Sequence, residues 1–405
     1  MMNSSQPTID YLIVGGGVIG LSFGINILES NPSTKVVIYE KELVSGFHAS
    51  GRNSGVIHAG FYYSPDSLKA KFCRDGNIHL RDFCKKNDVP ILESGKVVVC
   101  RDEVDLQRID KLYSNGVANG VEIELLNQSK LANIEPAAKT FEKFIWSPNT
   151  AVTVPELVTK KLVNRFTQMG GVLKLGQKVN LLMKNNEVLT NIDSKIINAK
   201  TVINCAGAKA AELAHQIELA REYLCIPFLG SYKISKRTNS NPKRLIYPVP
   251  NPVNPFLGVH TTNTLDGYVK LGPNAFPVIG KEQYSLLSKI KFGELIEFVK
   301  AGLALRKGQN LQLIKLGLQE GKKLRTKTAL KEISYLSESF ETNKNWERYP
   351  SGIRAQIVNT KTGKFEMDYI VEKKANSIHL LNAVSPGWTS AHPFTQWAIE
   401  NYKLF

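Results

Sequence analysis

Cysteine is scarce in this chain and acid is in short supply. The five cysteines among 405 residues (Cys73, Cys84, Cys100, Cys205 and Cys225) form no C-x-x-C pair. An odd number cannot all pair within one chain, which argues against a disulfide scaffold and for a reducing compartment. Neither the cysteines nor the scattered histidines have ligand spacing, so no metal site is expected. Uninterrupted apolar runs of about 18 residues, the length a membrane-spanning helix needs, are missing too. The most apolar early stretch, Tyr11 to Leu28, is broken by Gly15, Gly16, Gly17, Gly20 and Gly24. Met1 to Asp10 is polar and lacks the basic start of a secretory signal, so a cytoplasmic location is expected. Repeats and low-complexity tracts do not occur. With 42% hydrophobic and 22% charged residues the composition is that of ordinary globular domains, and the length suggests two or three of them.

The 36 acidic residues face 52 Lys and Arg, leaving a net charge of +16. That excess suggests nucleic acid, anionic lipid or an anionic substrate as partner. No aromatic-interleaved basic motif accompanies it, so nucleic acid is not expected. Half of the charge lies between Lys281 and Lys331, with 12 basic and 4 acidic residues. There Leu295, Ile296, Phe298, Val299, Leu303 and Leu305, then Leu311, Leu313, Ile314, Leu316 and Leu318, interleave with Lys300, Arg306, Lys307, Lys315 and the Lys322–Lys327 cluster. A basic amphipathic segment over 285–336 can lie on an anionic membrane. A solvated helix covering a domain fits the same pattern.

The chain opens with a β-α-β unit. A strand at Tyr11–Val14 runs into Gly15-x-Gly17-x-x-Gly20, a helix follows from Val18, and a second strand, Lys35–Tyr39, ends at Glu40. Each piece has a physical task. Gly15 permits the tight turn, Gly17 lets backbone approach a pyrophosphate, and Gly20 allows close helix–strand packing. The N–H groups at Val18 and Ile19, at the positive end of the helix, favour phosphate. Glu40 can accept the ribose hydroxyls. An adenine dinucleotide is therefore expected. A regular NAD fold would continue with another helix and strand, but the chain turns at Ser45 into an irregular Gly/Ser/Asn/His-rich stretch reaching Gly60. The nucleotide fold resumes only at Thr201–Gly207, where Ala206 and Gly207 leave room beside a cofactor. Interruption of this kind favours FAD.

Other segments read as helices at Leu68–Lys86, Val104–Asn119, Pro155–Met169, Lys209–Ala220 and Thr389–Tyr402, and as strands at Lys96–Cys100, Val172–Leu175 and Ile378–Asn382. Leu224–Lys281, dense in Pro, Gly, Tyr and β-branched residues, reads as antiparallel sheet, and Phe292–Leu336 as helix. The fold class is α/β with an α+β substrate domain. An interrupted Rossmann-like FAD-binding domain (1–90, 150–222 and 350–405) carries an antiparallel-sheet substrate domain (91–149 and 223–349) with the basic helical segment inserted.

The run His48-Ala-Ser-Gly-Arg-Asn-Ser-Gly-Val-Ile-His-Ala-Gly-Phe-Tyr-Tyr63, continued by Ser67-Leu-Lys-Ala-Lys-Phe-Cys73, resembles L-2-hydroxyglutarate oxidases/dehydrogenases, within the D-amino-acid-oxidase-like FAD enzymes. Ile246–Pro252, Pro255–His260, Asp266-Gly, Gly272–Ala275, Ser351–Gln356 and Leu381–Pro386 extend the likeness along nearly the whole chain. The chain departs from the family at Gly387–Pro393, where a small-residue segment is usual, at Arg52, where many relatives have His, and near Thr153–Val154. These departures touch substrate choice.

The resemblance implies that Arg52–His58 passes the flavin ring, with Ser50, Asn53, Ser54 and Gly55 beside the cofactor. Lys41, Val179, Arg354 and the Pro386-Gly387-Trp388-Thr389 turn complete the cofactor set. The implied reaction is oxidation of L-2-hydroxyglutarate, or a close 2-hydroxy acid, with hydride passing to flavin N5 and electrons to quinone or oxygen. An amine or amino-acid oxidase of the glycine- or sarcosine-oxidase type is the alternative. The reaction needs a base of near-neutral pKa, most often His. His58 is the first candidate and His260 the second. A dicarboxylate needs planar cations. Arg354 and Arg52 lead there, with Tyr62, Tyr63 and Tyr247 as hydroxyl donors.

Overall fold

A computed structural model describes residues 9–236, 238, 241–251, 257–285, 288, 290–308, 320–321, 325–340 and 345–404. Part of the Ile246–His260 blocks and the basic residues Lys315, Lys322 and Lys323 lie outside the described residues.

The first sheet is built on Ile9–Val14, which pairs in parallel with Val36–Tyr39 on one side and Ala199–Asn204 on the other. The strand order across it is Val371–Lys374, Ser377–Leu380, Ala199–Asn204, Ile9–Val14, Val36–Tyr39, Val172–Lys174, with only the first strand antiparallel. Helix Val18–Ser30 lies against this sheet and is buried nearly all round. It is sandwiched by Pro155–Gln168 and the C-terminal helix Ala391–Asn401, which explains why its sequence is mostly apolar and why buried Asn26 bonds Thr395 of that last helix. Gly20 is needed because a Cβ there would sit 2.0 Å from the Gly15 carbonyl oxygen. The interrupted parallel sheet is thus assembled from three widely separated stretches of chain.

A meander of three strands, Val179–Lys184, Glu187–Ile192 and Lys195–Ile197, covers one side of the parallel sheet. The second domain carries a six-stranded sheet whose spine is the pairing of Tyr223–Lys236 with Glu347–Asn359. That last strand continues through residue 350, so the second half of its pairing also belongs to this sheet. A four-stranded sheet orders Leu245–Pro248, Lys96–Val99, Lys143–Ser147 and Glu124–Asn127, while Val56–Ile57 pairs with Ala151–Thr153 at the junction. The mixture of a parallel nucleotide-type sheet with antiparallel sheets is the α/β and α+β combination that the sequence predicts. Helix Phe292–Lys307 packs Ala301, Ala304 and Leu305 onto Ile226, Phe228 and Val358 of the six-stranded sheet. None of the described helices is long and apolar enough to cross a membrane.

Candidate active site

One continuous cavity of about 830 Å³ runs between the two domains. At one end it is lined by Gly15, Gly17, Glu40, Lys41, Ser50, Asn53, Ser54, Val179, Ala206 and Gly207. Backbone geometry explains this end. Gly15 has φ +108°, and a Cβ there would lie 2.5 Å from the Cys205 carbonyl oxygen. At Gly17 a Cβ would meet Ser50 Oγ at 2.8 Å. Glu40 accepts hydrogen bonds from the N–H of Gly16 at 2.8 Å and of Glu42 at 2.9 Å, which pins its carboxylate to the glycine turn. The N–H of Val18 donates to Ser50 Oγ at 3.0 Å. Val18, Ile19 and Gly20 shape this cradle without lining the cavity themselves, and Gly55 and Gly387 do not line the cavity either.

Over this end closes a polar clasp. Lys41 Nζ lies 2.8 Å from Glu282 and also bonds Glu42, and His48 bridges Glu42 and Tyr284. Glu42, His48 and Glu282 are the one group of ligand-capable side chains close enough to hold a metal ion among the described residues. The Lys41 ammonium already supplies the cation between the two carboxylates. Arg52 lines the cavity, but its guanidinium is committed to the clasp. It lies 4.8 Å from the Phe47 ring centroid and 4.3 Å from that of Tyr284, and its Nε donates to the Phe47 carbonyl at 3.0 Å.

The other end is walled by His58, Tyr62, Tyr63, Tyr247, His260, Arg354, Pro386, Trp388 and Thr389. The strand Glu347–Asn359 carries Arg354 opposite Phe228, and His260 begins the strand that pairs with Tyr268–Gly272. His58 follows the short strand Val56–Ile57. Its N–H donates to Thr389 Oγ1 at 3.2 Å, and its carbonyl accepts from Asn77 Nδ2 at 3.1 Å. His260 is stacked on Tyr247 with centroids 3.7 Å apart, and its Nδ1 lies 2.7 Å from the Gly258 carbonyl oxygen. A carbonyl only accepts, so the proton of neutral His260 resides on Nδ1 and Nε2 carries the lone pair.

Both histidines are held unprotonated. Burial pushes His260 down to about 3, with the positive charges of Arg354 and Lys96 acting in the same direction and the Gly258 carbonyl opposing. Burial also holds His58 well below the ordinary range, reinforced by Lys96, His260 and Arg354. Several polar atoms in this wall are buried without a partner: His58 Nδ1, Tyr62 OH and Trp388 Nε1. Buried polar groups normally find partners, so orphans gathered in one cavity mark it as a place where a polar ligand belongs.

Three residues reach this region without a signal strong enough to single them out in the sequence. Lys69 lies within a helical pattern that also offers Lys71; Lys71 is exposed, whereas Lys69 is buried and lines the cavity. Arg108 and Lys111 line the cavity from helix Glu103–Ala118. His392 turns away from the main cavity and stacks on His79 at 3.6 Å in a small separate hollow.

The glycine cradle, the carboxylate pinned beside it and the long cavity fit FAD, and they define an FAD-dependent oxidoreductase. The sequence agrees: residues 10–400 match the family model described as FAD dependent oxidoreductase. The L-2-hydroxyglutarate dehydrogenase of Salmonella houtenae is 34% identical over 388 residues, covering 95% of this chain and 90% of the relative. The mitochondrial L-2-hydroxyglutarate dehydrogenase of Caenorhabditis elegans is 32% identical, covering 98% of this chain and 95% of its own. The chain belongs to the L-2-hydroxyglutarate oxidase/dehydrogenase family, and its class of reaction is FAD-dependent oxidation at a CH–OH group. Its fold is shared with L-α-glycerophosphate oxidase from Mycoplasma pneumoniae with FAD bound (TM-score 0.75, 22% identity, 98% and 94% of the two chains covered). Glycine oxidase from Geobacillus kaustophilus shares it as well (TM-score 0.71, 15% identity, 97% and 93% covered).

Proposed function

We propose that the protein oxidises L-2-hydroxyglutarate, or a 2-hydroxy acid close to it, to the corresponding 2-oxo acid, with electrons passing on to a quinone or to oxygen. The observation that carries the reading is the meeting of two neutral histidines, Arg354 and two tyrosines at one end of an FAD-sized cavity. FAD, when bound, supplies the hydride acceptor at N5. The chain itself must hold the hydroxy acid, take its hydroxyl proton and exclude water. Arg354 offers a planar fork that matches a carboxylate. His260 is the better of the two bases, because its bond to Gly258 fixes the tautomer and leaves Nε2 as the proton acceptor. Burial is the main cause of the neutrality of His260, and the smaller part that the positive charges add is offset when an anionic substrate arrives. The imidazole then binds a proton more readily with substrate in place than without it. His58, whose ring nitrogen Nδ1 has no such orienting bond, is the second candidate.

Anaerobic titration of the bound flavin with 2-hydroxy and 2-amino acids tests this. L-2-Hydroxyglutarate should bleach it, and glycine and sarcosine should not. Bleaching by amines alone would replace the reading with an amine oxidase of the glycine- or sarcosine-oxidase type.

A peripheral membrane location beside a quinone pool is supported by the outer face of helix Phe292–Lys307. Phe292, Leu295, Ile296, Val299 and Leu303 recur at helical spacing and are all exposed, Phe292 by 77%. Lys291, Lys300, Arg306 and Lys307 flank them. Exposed apolar side chains and cations on one helix suit the interface of an anionic bilayer. Binding to anionic vesicles should therefore fall as salt rises and be lost when Lys300, Arg306 and Lys307 are neutralised. Equal binding by that variant would remove the idea.

A further inference from the structure

Behind the substrate end of the cavity lies a lysine that no local pattern accounts for. Lys96 opens the strand Lys96–Val99, which is paired on both edges, and its side chain is fully buried. Its ammonium has no hydrogen-bond partner and no ion pair among the described residues. Instead Nζ sits among three aromatic rings, 4.6 Å from the centroid of Phe61, 4.5 Å from Tyr62 and 4.8 Å from Tyr247. Ring faces attract a desolvated cation, which explains how the chain tolerates it there. They do not supply a counter-charge.

Two of the three caging rings, Tyr62 and Tyr247, also form cavity wall. Tyr247 stacks directly on His260, and the Tyr62 hydroxyl is buried with no partner. The carboxylates lining the cavity are Glu40, Glu212 and Glu282, and all are engaged elsewhere, by backbone N–H groups or by Lys41, Lys209 and Lys281. The charge that Lys96 lacks is therefore not provided by the cavity wall. An anionic substrate can provide it.

We propose that Lys96 is a positioning residue that selects substrates bearing a second carboxylate, its charge acting through the rings and hydroxyls of Tyr62 and Tyr247 rather than by direct contact. The inference rests on the 2-hydroxy-dicarboxylate reading above and assigns the recognition of the second acid group. A unit charge a few ångströms behind the wall, at the effective screening of a protein interior, changes affinity for one further negative charge by about tenfold. Burial also pushes the Lys96 ammonium down to about 7, with Cys73 opposing. Near pH 8 the free enzyme accordingly holds Lys96 largely neutral, and binding a dianion should return its proton. The other titratable groups around it do not compete at that pH. Burial drives Cys73 up to about 12, raises Tyr62 and Tyr247 above the ordinary phenol range, and holds His58 and His260 far below neutrality.

The test is calorimetry on the FAD-loaded enzyme with glutarate, which has two carboxylates and no reactive hydroxyl, and with butyrate, which has one. Run at pH 8 in two buffers of different ionisation enthalpy, the wild type should take up close to one proton per glutarate and almost none per butyrate. K96M should lose the proton uptake and bind glutarate about tenfold more weakly, with butyrate changed less than about twofold. Y62F, which keeps the ring and removes the hydroxyl, should reduce the preference for glutarate in part. An equal loss of both ligands in K96M overturns the inference, and so does glutarate binding that K96M leaves unchanged. Failure of the wild type to bind glutarate at all overturns the dicarboxylate reading itself, and the role of Lys96 falls with it.

Discussion

The two ends of the cavity solve opposite problems. At the glycine-turn end the charged groups are satisfied before any ligand arrives: Glu40 by two backbone N–H groups, Glu282 by Lys41, Glu212 by Lys209 and Lys281. At the histidine end Lys96 Nζ, His58 Nδ1 and Tyr62 OH are buried without partners, and the imidazoles are held neutral. A site for a resident cofactor can be complete in itself, since its ligand does not leave. A site for a transient anion gains by keeping donors unmet, because the ligand then brings what they lack and binds where it reacts.

Three experiments would break or sharpen that contrast. The largest effect is expected at the glycine turn. Gly15→Ala puts a Cβ against the Cys205 carbonyl in a backbone conformation that disfavours side chains, so the purified variant should carry almost no flavin absorbance while remaining folded by circular dichroism. At the opposite end, His260→Gln should keep its flavin and lose about 10²- to 10⁴-fold in kcat, the usual worth of a general base. His58→Gln should lose less. If the order is reversed, His58 is the base. The third effect is on stability. His79 and His392 are pushed down by burial to about 4 and about 3, with Arg165 adding to it at both and His79 adding to it at His392. Both bind a proton more readily unfolded than folded, so the stability they contribute is complete above pH 6.5 and is lost as pH falls toward 4. The loss should be on the order of 2–4 kcal/mol, read as a falling thermal midpoint. In His392→Asn that fall should be shallower.

The same contrast decides what the sequence could reveal. Gly15, Gly17, Gly20 and Glu40 lie within one β-α-β unit, and their tasks follow from spacing alone. The motif blocks containing His58, His260 and Arg354 were legible by resemblance, since each stands in a run of distinctive residues. Lys96 was not. A lysine at the start of a strand reads as a solvated charge, and what buries it comes from elsewhere in the chain, including Tyr247 on the strand Leu245–Pro248, about 150 residues later. The cage is likewise built from Phe61, Tyr62 and Tyr247, which no local window unites. Arg52 shows the converse: its segment reaches the cavity as expected, yet Phe47 and Tyr284 engage its guanidinium.

Among the strands, the long Glu347–Asn359 was hidden by Pro350 and Gly352, which local propensity disfavours and pairing with Tyr223–Lys236 overrides. The meander from Val179 to Ile197 was overlooked although a signal existed. Asn185-Asn186 and Asp193-Ser194 are two-residue turns with all four residues at φ between 49° and 65°, the conformation that tight hairpins demand. The helices were easier, because Leu68–Lys86 and Glu103–Ala118 begin at Ser67 and Asp102, side chains that cap them.

The clasp of Lys41, Glu42, His48, Glu282 and Tyr284 has a consequence for how long the cofactor stays. It joins the two domains across the glycine-turn end largely by charges and hydrogen bonds, with the Phe47 and Tyr284 rings packed beside them. Exchange of the dinucleotide past the clasp would part these ion pairs. The residence time of FAD should therefore shorten as salt is raised, which flavin release followed at low and high ionic strength would measure.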